Sequence, residues 1–343
     1  MTERKVTSLD VAALAGVSQS AVSRVFTPGA SVSKKMEERV RRAADALGYR
    51  PNVLARSLIT GRSRIIGLVV GYLENQFYPD ALERLSTALQ AKGYHILVFM
   101  TEGSQSDGGE VIQDLLDYQV DGLVTASVGM TDDLAARCEA AGIPVVLFNR
   151  GQDDPRLNEV TSDNTAGARE VAKFLVAGGH RRIAHISGWH GSSTGRERAA
   201  AFRASLEELG QRLLAEETGA FSREGAAEAA RRLMREAKPD AIFVGNDHMA
   251  FAVMDVLRFE MGIDVPGEVS VVGYDDVALA GWPAYDLTTL RQPSGAMVEA
   301  TVDILMDRLE GRATAPQKRR IAGTLMVRGS ARVPDGWEQG GAR

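Results

Sequence analysis

Val6 to Phe26 reads VTSLDVAALAGVSQSAVSRVF, and its spacing decides the architecture of the chain's amino-terminal end. Ser8 is expected to cap a helix through Leu9, Val11, Ala12, Leu14 and Ala15, apolar residues that recur with a helical period. Gly16 ends it, because glycine enters the left-handed conformation at low steric cost. Ser18 then caps a second helix through Ala21, Val22 and Val25. Ala12, Gly16 and Val22 stand where a helix-turn-helix needs a small residue, a turn glycine and a β-branched wedge. A third helix is expected from Ser33 to about Leu47, burying Val40, Ala43, Ala44 and Leu47.

The second helix presents Gln19, Ser20, Ser23 and Arg24 away from its apolar face. A helix fits the major groove of DNA, where Gln pairs with adenine and Arg with guanine through two hydrogen bonds each. With the flanking Ser8 and Ser18, these residues are the candidate DNA contacts. Charge agrees with them. Residues 1–64 carry 12 Lys and Arg against 5 Asp and Glu, whereas the remaining 279 carry 28 against 40. A basic head on an acidic body points the head, and not the body, at a polyanion. Further along, Tyr49-Arg50-Pro51-Asn52 opens a short segment with proline suited to a first helical turn, and Thr60-Gly61-Arg62-Ser63 reads as a linker.

These motifs resemble the LacI/GalR family of bacterial transcription regulators. The resemblance rests on VTSLDVAALAGVSQSAVSRVF, on VSKKMEERVRRAADALGYRPNVLARSL (residues 32–58) and on the following RIIGLVV (residues 64–70), in order and at the family's spacing. It implies that hinge helices of two subunits pair and enter the minor groove, with Leu58 wedged into a base step, Ala55 one turn earlier and Asn52 as a hinge contact. It also implies that Gln19, Ser20 and Arg24 read bases.

From residue 65 the pattern changes to an alternation of short β-rich runs with amphipathic segments. Strands are expected at Ile65–Val70, Ile96–Met100, Gly122–Ala126, Val145–Phe148, Ile183–Ser187, Ala241–Val244 and Val269–Tyr274. Helices are expected near 79–92, 109–118, 131–141, 164–177, 194–209, 222–236, 247–261 and 295–310. This is the signature of an α/β body of doubly wound parallel sheets, in two tandem units with a cleft between them. The resemblance implies a two-lobed body like the periplasmic sugar-binding proteins, with three chain crossings near 158–162, 288–291 and 322–325. The expected division is a helix-turn-helix domain over 1–50 and a hinge helix and linker over 51–62. A first lobe takes 63–160 with 291–322, a second lobe 161–290 with 323–332, and a tail 333–343.

Candidate cleft residues follow strand ends: Phe77 and Tyr78, Asn149, Asn246 and Asp275, with Arg198 and Phe221 after loops. Amides, carboxylates and a guanidinium beside aromatic rings suit a polyhydroxylated ligand. Asp247, Asp276 and Asn164 read as helix caps or loop supports, Arg196 as a surface ion pair, and Phe77 and Phe221 equally as core. The resemblance strengthens Arg198 through GRERAAAF (residues 195–202), Asn246 through GND and Asp275 through GYDD. It places a stacking aromatic at Phe221 and marks Asn149 as a departure, since relatives often carry aspartate there. Asn75-Gln76-Phe77 departs likewise from an Asn-Pro-Phe run.

Composition excludes other classes. The 343 residues are 44% hydrophobic and 25% charged with a net charge of -5, ordinary for a globular chain of two or three domains. No apolar run reaches the roughly 18 residues of a membrane span. The start lacks a secretory hydrophobic core, and the single cysteine, Cys138, fits a reducing compartment, so the expected location is the cytoplasm. No G-x-G-x-x-G follows the first strand of the body, and neither a Walker motif nor H-E-x-x-H occurs. His95, His180, His185, His190 and His248 show no metal-ligand spacing. The expectation is therefore no enzyme, cofactor or metal. The chain reads as a homodimeric regulator, most simply a repressor, of a pseudo-palindromic operator under allosteric control by a sugar or sugar derivative. A free sugar-binding protein and a purine-type effector are the competing readings.

Overall fold

The computed structural model describes residues 6–27, 30–50, 62–101, 115 and 117–337. The chain divides into two compact units, Met1–Ser63 and Arg64–Arg343.

The first unit contains three helices, α1 (Ser8–Ala15), α2 (Gln19–Val25) and α3 (Lys34–Leu47). The cap of α1 is Thr7 and not Ser8. Its hydroxyl accepts the Asp10 N–H while the Asp10 carboxylate accepts the Thr7 N–H. That reciprocal box needs an acceptor side chain three residues on, which Thr7 has in Asp10 and Ser8 lacks in Val11. Ser18 and Ser33 cap α2 and α3, and Gly16 closes α1 at φ +61°. The core is built from small residues: Val11, Ala12, Ala15, Val22, Val25, Val40, Ala43 and Ala44. Leu9 and Leu14 are not in it; they are 59% and 57% exposed. The hinge residues Asn52, Ala55 and Leu58 lie outside the described residues.

The second unit holds two six-stranded sheets. Its strands are β1 (Ile65–Val70), β2 (His95–Met100), β3 (Gly122–Ala126), β4 (Val145–Phe148), β5 (Asn158–Ser162), β6 (Ile183–Ser187), β7 (Ala215–Thr218), β8 (Ala241–Val244), β9 (Ser270–Asp275), β10 (Thr288–Arg291), β11 (Lys318–Ile321) and β12 (Thr324–Met326). The first sheet has the order β11-β5-β4-β3-β1-β2 and is parallel throughout. The second has the order β12-β10-β9-β8-β6-β7, parallel except where β12 runs against β10. Strands covered on both faces bury continuous apolar runs, as IIGLVV in β1 and AIFV in β8 do.

The helices between them are α4 (Phe77–Ala91), α5 (Asp132–Ala140), α6 (Asn164–Ala177), α7 (Ser193–Glu208), α8 (Arg223–Glu236), α9 (Asp247–Asp255) and α10 (Ser294–Leu309). The helix expected near 109–118 falls almost wholly outside the described residues. The helix expected over 247–261 is α-helical only to Asp255. Val256–Glu260 then widens into a π-turn with Phe259 exposed. The chain passes from the first sheet to the second after β5, returns after β10, and passes again between β11 and β12. Helix α10, which follows β10 of the second sheet, packs on α4 and the first sheet.

Candidate functional site

On the first unit, α2 turns Val22 and Val25 inward, which leaves Gln19, Ser20, Ser23 and Arg24 exposed along one side. Gln19 donates to Ser8 Oγ at 3.0 Å, and Ser18 and Ser20 share a hydrogen bond at 2.9 Å. Ser8, Ser18, Gln19 and Ser20 thus form one polar ridge over the turn, with Ser23 and Arg24 further along α2. Arg24 has no ion pair among the described residues, so its guanidinium is available to an anion or a base edge.

On the second unit, strand ends of both sheets converge. Parallel strands deliver their carboxyl ends to one side, where loops replace the ladder and carry polar side chains. From the first lobe come Asn75, Phe77 and Tyr78 after β1, and Asn149 and Arg150 after β4. From the second come Trp189 after β6, Arg198 on α7, Asn246 after β8 and Asp275 at the end of β9. Gln292 stands where the chain returns. Asn75, Phe77, Tyr78, Asn149, Arg150, Arg198, Phe221, Asn246, Asp275 and Gln292 are all buried. Backbone strain is concentrated here: Asn149, Phe221, Asp275 and Asp276 have φ of +66°, +62°, +133° and +58°.

Asp275 is the hub. Its Oδ2 accepts from Asn75 Nδ2 of the opposite lobe at 2.9 Å, and its Oδ1 from Gln292 Nε2 at 2.6 Å. The Arg198 guanidinium stands 3.7 Å from Oδ1. Arg198 is itself fixed by Asn164 Oδ1 at 2.9 Å, by the Gly245 carbonyl at 2.7 Å and by the Tyr274 ring 3.5 Å below it. A second set of contacts joins the lobes elsewhere: the Gly151 N–H donates to Ser193 Oγ, and Arg150 lies over the Trp189 ring.

Among the described residues, three side-chain amides of the cleft each leave one buried polar atom without a hydrogen-bond partner. Asn149 donates to the Tyr78 hydroxyl, leaving its Oδ1 empty-handed; Asn246 accepts from the Met249 N–H, leaving its Nδ2; Gln292 leaves its Oε1. Desolvating such atoms without a partner costs roughly 1–3 kcal/mol each. Two are acceptors and one a donor, a set that hydroxyl groups satisfy because each donates and accepts. Phe221 covers Gly188 so closely that a Cβ there would lie 2.1 Å from its ring. Phe77 stacks on Phe148 and meets Tyr78 edge-on, so it belongs to the core as well as to the cleft. A groove of about 970 Å³, lined in part by Phe77, Asp275, Asp276, Arg291 and Gln292, opens beside the hub.

The plainer assignments sort themselves by geometry. Asn246, not Asp247, caps α9. Asp163 caps α6, and Asn164 instead positions Arg198 and donates to Glu197. Asp276 is clamped between Arg291 and Arg328, each at 2.6 Å. Arg196 is exposed and donates to the His190 carbonyl. Reading of the sequence missed Asn75, Arg150 and Gln292. Asn75 and Arg150 adjoin the candidates Phe77 and Asn149 in the chain, and Gln292 follows a strand end, which is the signal that finds it. Among the described residues no three His, Cys, Asp or Glu are placed to hold a metal ion, and no helix is long and apolar enough to cross a membrane.

A helix-turn-helix unit in one chain with a two-lobed body that has a polar, partly unsatisfied cleft defines the class of ligand-responsive DNA-binding regulators. The family model for bacterial regulatory proteins of the lacI family matches residues 7–52, and that for a periplasmic binding protein-like domain matches residues 172–331. The chain is 31% identical to the ribose operon repressor of Escherichia coli (strain K12) over 331 residues, covering 95% of this chain and 99% of that one. It is similar to a crystal structure of the lac repressor dimer bound to operator and the anti-inducer ONPF, with a TM-score of 0.85, 29% identity and coverage of 95% and 99%. It is also similar to a complex of the transcriptional regulator CelR with cellobiose, with a TM-score of 0.72, 32% identity and coverage of 95% and 100%. The chain belongs to the LacI family of transcriptional regulators, which bind DNA and are not enzymes.

Proposed function

We propose that the protein is a cytoplasmic, homodimeric repressor whose operator affinity is set by a sugar or sugar derivative bound between the lobes. The observation that carries the effector class is the set of unpartnered atoms, Asn149 Oδ1, Asn246 Nδ2 and Gln292 Oε1, around the Asp275–Arg198 pair. Hydroxyl groups would occupy them in pairs, and Phe77, Tyr78 and Phe221 supply rings for the apolar face of a pyranose or furanose. The cellobiose complex and the ribose operon repressor support a sugar.

The mechanism is linkage. A ligand that fits one arrangement of the lobes better than another shifts the population toward it, and DNA affinity follows by the same free energy. Two copies place two recognition helices on a roughly palindromic site, as the dimeric lac repressor on its operator supports. Gln19, Ser20, Ser23 and Arg24 read the bases, with Ser8 and Ser18 supporting them. Asn52, Ala55 and Leu58 enter the minor groove.

The test is thermal unfolding of the full-length protein against sugars, sugar phosphates, polyols and nucleobases. A ligand at 100 times its Kd adds about 2.7 kcal/mol, a rise of some degrees. The expected hit is a sugar, lost in Arg198→Ala while ligand-free DNA binding persists. A nucleobase hit would overturn the sugar reading, and an unchanged response in Arg198→Ala would overturn the placement of the site.

A further inference from the structure

The three carboxylates on the floor of the cleft share three arginines unevenly. Asp276 has two arginines, Arg291 and Arg328. Asp275 has Arg198. Asp247, the first residue of α9, is completely buried and has no basic side chain within ion-pair distance among the described residues. Its surroundings are neutral. Oδ1 lies 2.5 Å from the Thr289 hydroxyl on β10, and Oδ2 accepts the Val277 N–H at 3.0 Å. The Gly273 backbone is pressed against it, since a Cβ there would stand 2.3 Å from Oδ1.

The two neighbouring acids differ in what their partners demand. Asp275 receives two amide N–H groups and faces a guanidinium; none of these can accept, so Asp275 must stay an acceptor on every side. Asp247 meets one N–H and one hydroxyl, and a hydroxyl can turn to accept a hydrogen bond from it. The charged groups that act on Asp247 are Asp275, at the end of β9, and Asp276 after it; the arginines that face those two are Arg198 from α7, Arg291 at the end of β10 and Arg328 beyond β12. Each arginine is already engaged by Asp275 or Asp276. His248, next on the same helix, stands near Glu74 at 3.8 Å.

We propose that Asp247 is carried as a neutral carboxylic acid and is the positioning residue for Asp275. It ties Val277 to α9 and β10 and so holds the left-handed turn through Asp275 and Asp276, without adding an unpaired negative charge to the cleft. This rests on the reading of Asp275 as an effector-binding carboxylate. Burial, and then the charge of Asp275, push the Asp247 carboxyl well above the usual carboxylate range, in agreement with the geometry.

The test needs no effector, so an effector panel without a hit leaves it intact. The infrared spectrum of the full-length protein at pH 7 should contain the carbonyl band of a buried carboxylic acid, absent from Asp247→Asn. That variant is isosteric with the neutral acid and, having no carboxylate to ionise in the unfolded chain, should unfold at a higher temperature than the parent at pH 6.5. In Asp275→Asn, with the neighbouring charge removed, the band should persist at pH 6 and disappear at a lower pH than in the parent. A parent spectrum without the band, or a band that survives in Asp247→Asn, overturns the proposal. If Asp247→Asn does not fold, Asp275→Asn decides alone. Loss of the band at every pH above 5 would place the proton on Asp275 and sink the assignment.

Discussion

Gly188 shows how much of the cleft depends on what a residue lacks. The Phe221 ring occupies the space where a side chain would begin, with contacts of 2.1 to 2.6 Å to a built Cβ. Gly188→Ala must therefore push the ring out of its left-handed perch. With Phe221 nearly covered and proposed as a ring against the effector, the expected result is a loss of effector binding of about tenfold or more, roughly the 1–3 kcal/mol typical of an overpacked site. Calorimetric titration with the stabilising sugar, set beside a DNA-binding assay, checks it; unaltered affinity would remove Phe221 from the site. Residues of this kind are half legible in a sequence. Asn246, Arg198 and Asp275 follow strand ends or open helices, so position alone nominates them. Asn75 and Gln292 become partners of Asp275 only through contacts across 200 and 17 residues, and no local pattern announces which amide will reach that carboxylate.

The elements that were legible are those whose pattern is local. Gly16, Ser18 and Ser33 act through neighbours within four residues, and the strands Ile65–Val70 and Ala241–Val244 declare themselves by unbroken apolar runs. Where two local patterns compete, the period is not enough. In α1 the larger apolar residues, Leu9 and Leu14, face out, and the small set Val11, Ala12 and Ala15 faces α2 and α3 because helices this close admit only short side chains. Edge strand β7, AEET, has no apolar pattern at all and is held by pairing with β6. The Thr7 box gives a prediction at this scale. Thr7→Ala removes the two hydrogen bonds of the Thr7 hydroxyl, from the Asp10 N–H and to the Asp10 carboxylate, and should lower the stability of the first unit by about 1 kcal/mol. Ser8→Ala, by contrast, leaves the cap intact and should cost less. Hydrogen exchange of the α1 amides in the two variants would show it, and equal effects would contradict the capping assignment.

Over the whole molecule, buried titratable groups set how stability varies with pH. His180, His185 and His248 are held below the ordinary histidine value, first by burial. The unfolded chain takes up their protons below about pH 6.5 while the native state resists, so stability falls as the pH drops from there, by up to about 1.4 kcal/mol per pH unit for each group. Asp247 acts in the opposite sense. Its raised value means the native state keeps a proton that the unfolded chain has lost, so stability also declines as the pH climbs from 6.5 toward 8. The melting temperature should peak near pH 6.5, with the alkaline limb flattened and the acid limb steepened in Asp247→Asn; a melting temperature that rises steadily from pH 5 to 8 would contradict the Asp247 assignment, and one that falls steadily would contradict that of the histidines. The path of the chain carries a last consequence. Because it threads from sheet to sheet three times, no single cut in the backbone yields a free lobe, and neither half can be expressed, exchanged between relatives or lost by truncation without its counterpart. A deletion that ends the chain before β11 strips an edge from both sheets at once, so shortened genes of this kind are expected to yield no working half-protein, only an insoluble one.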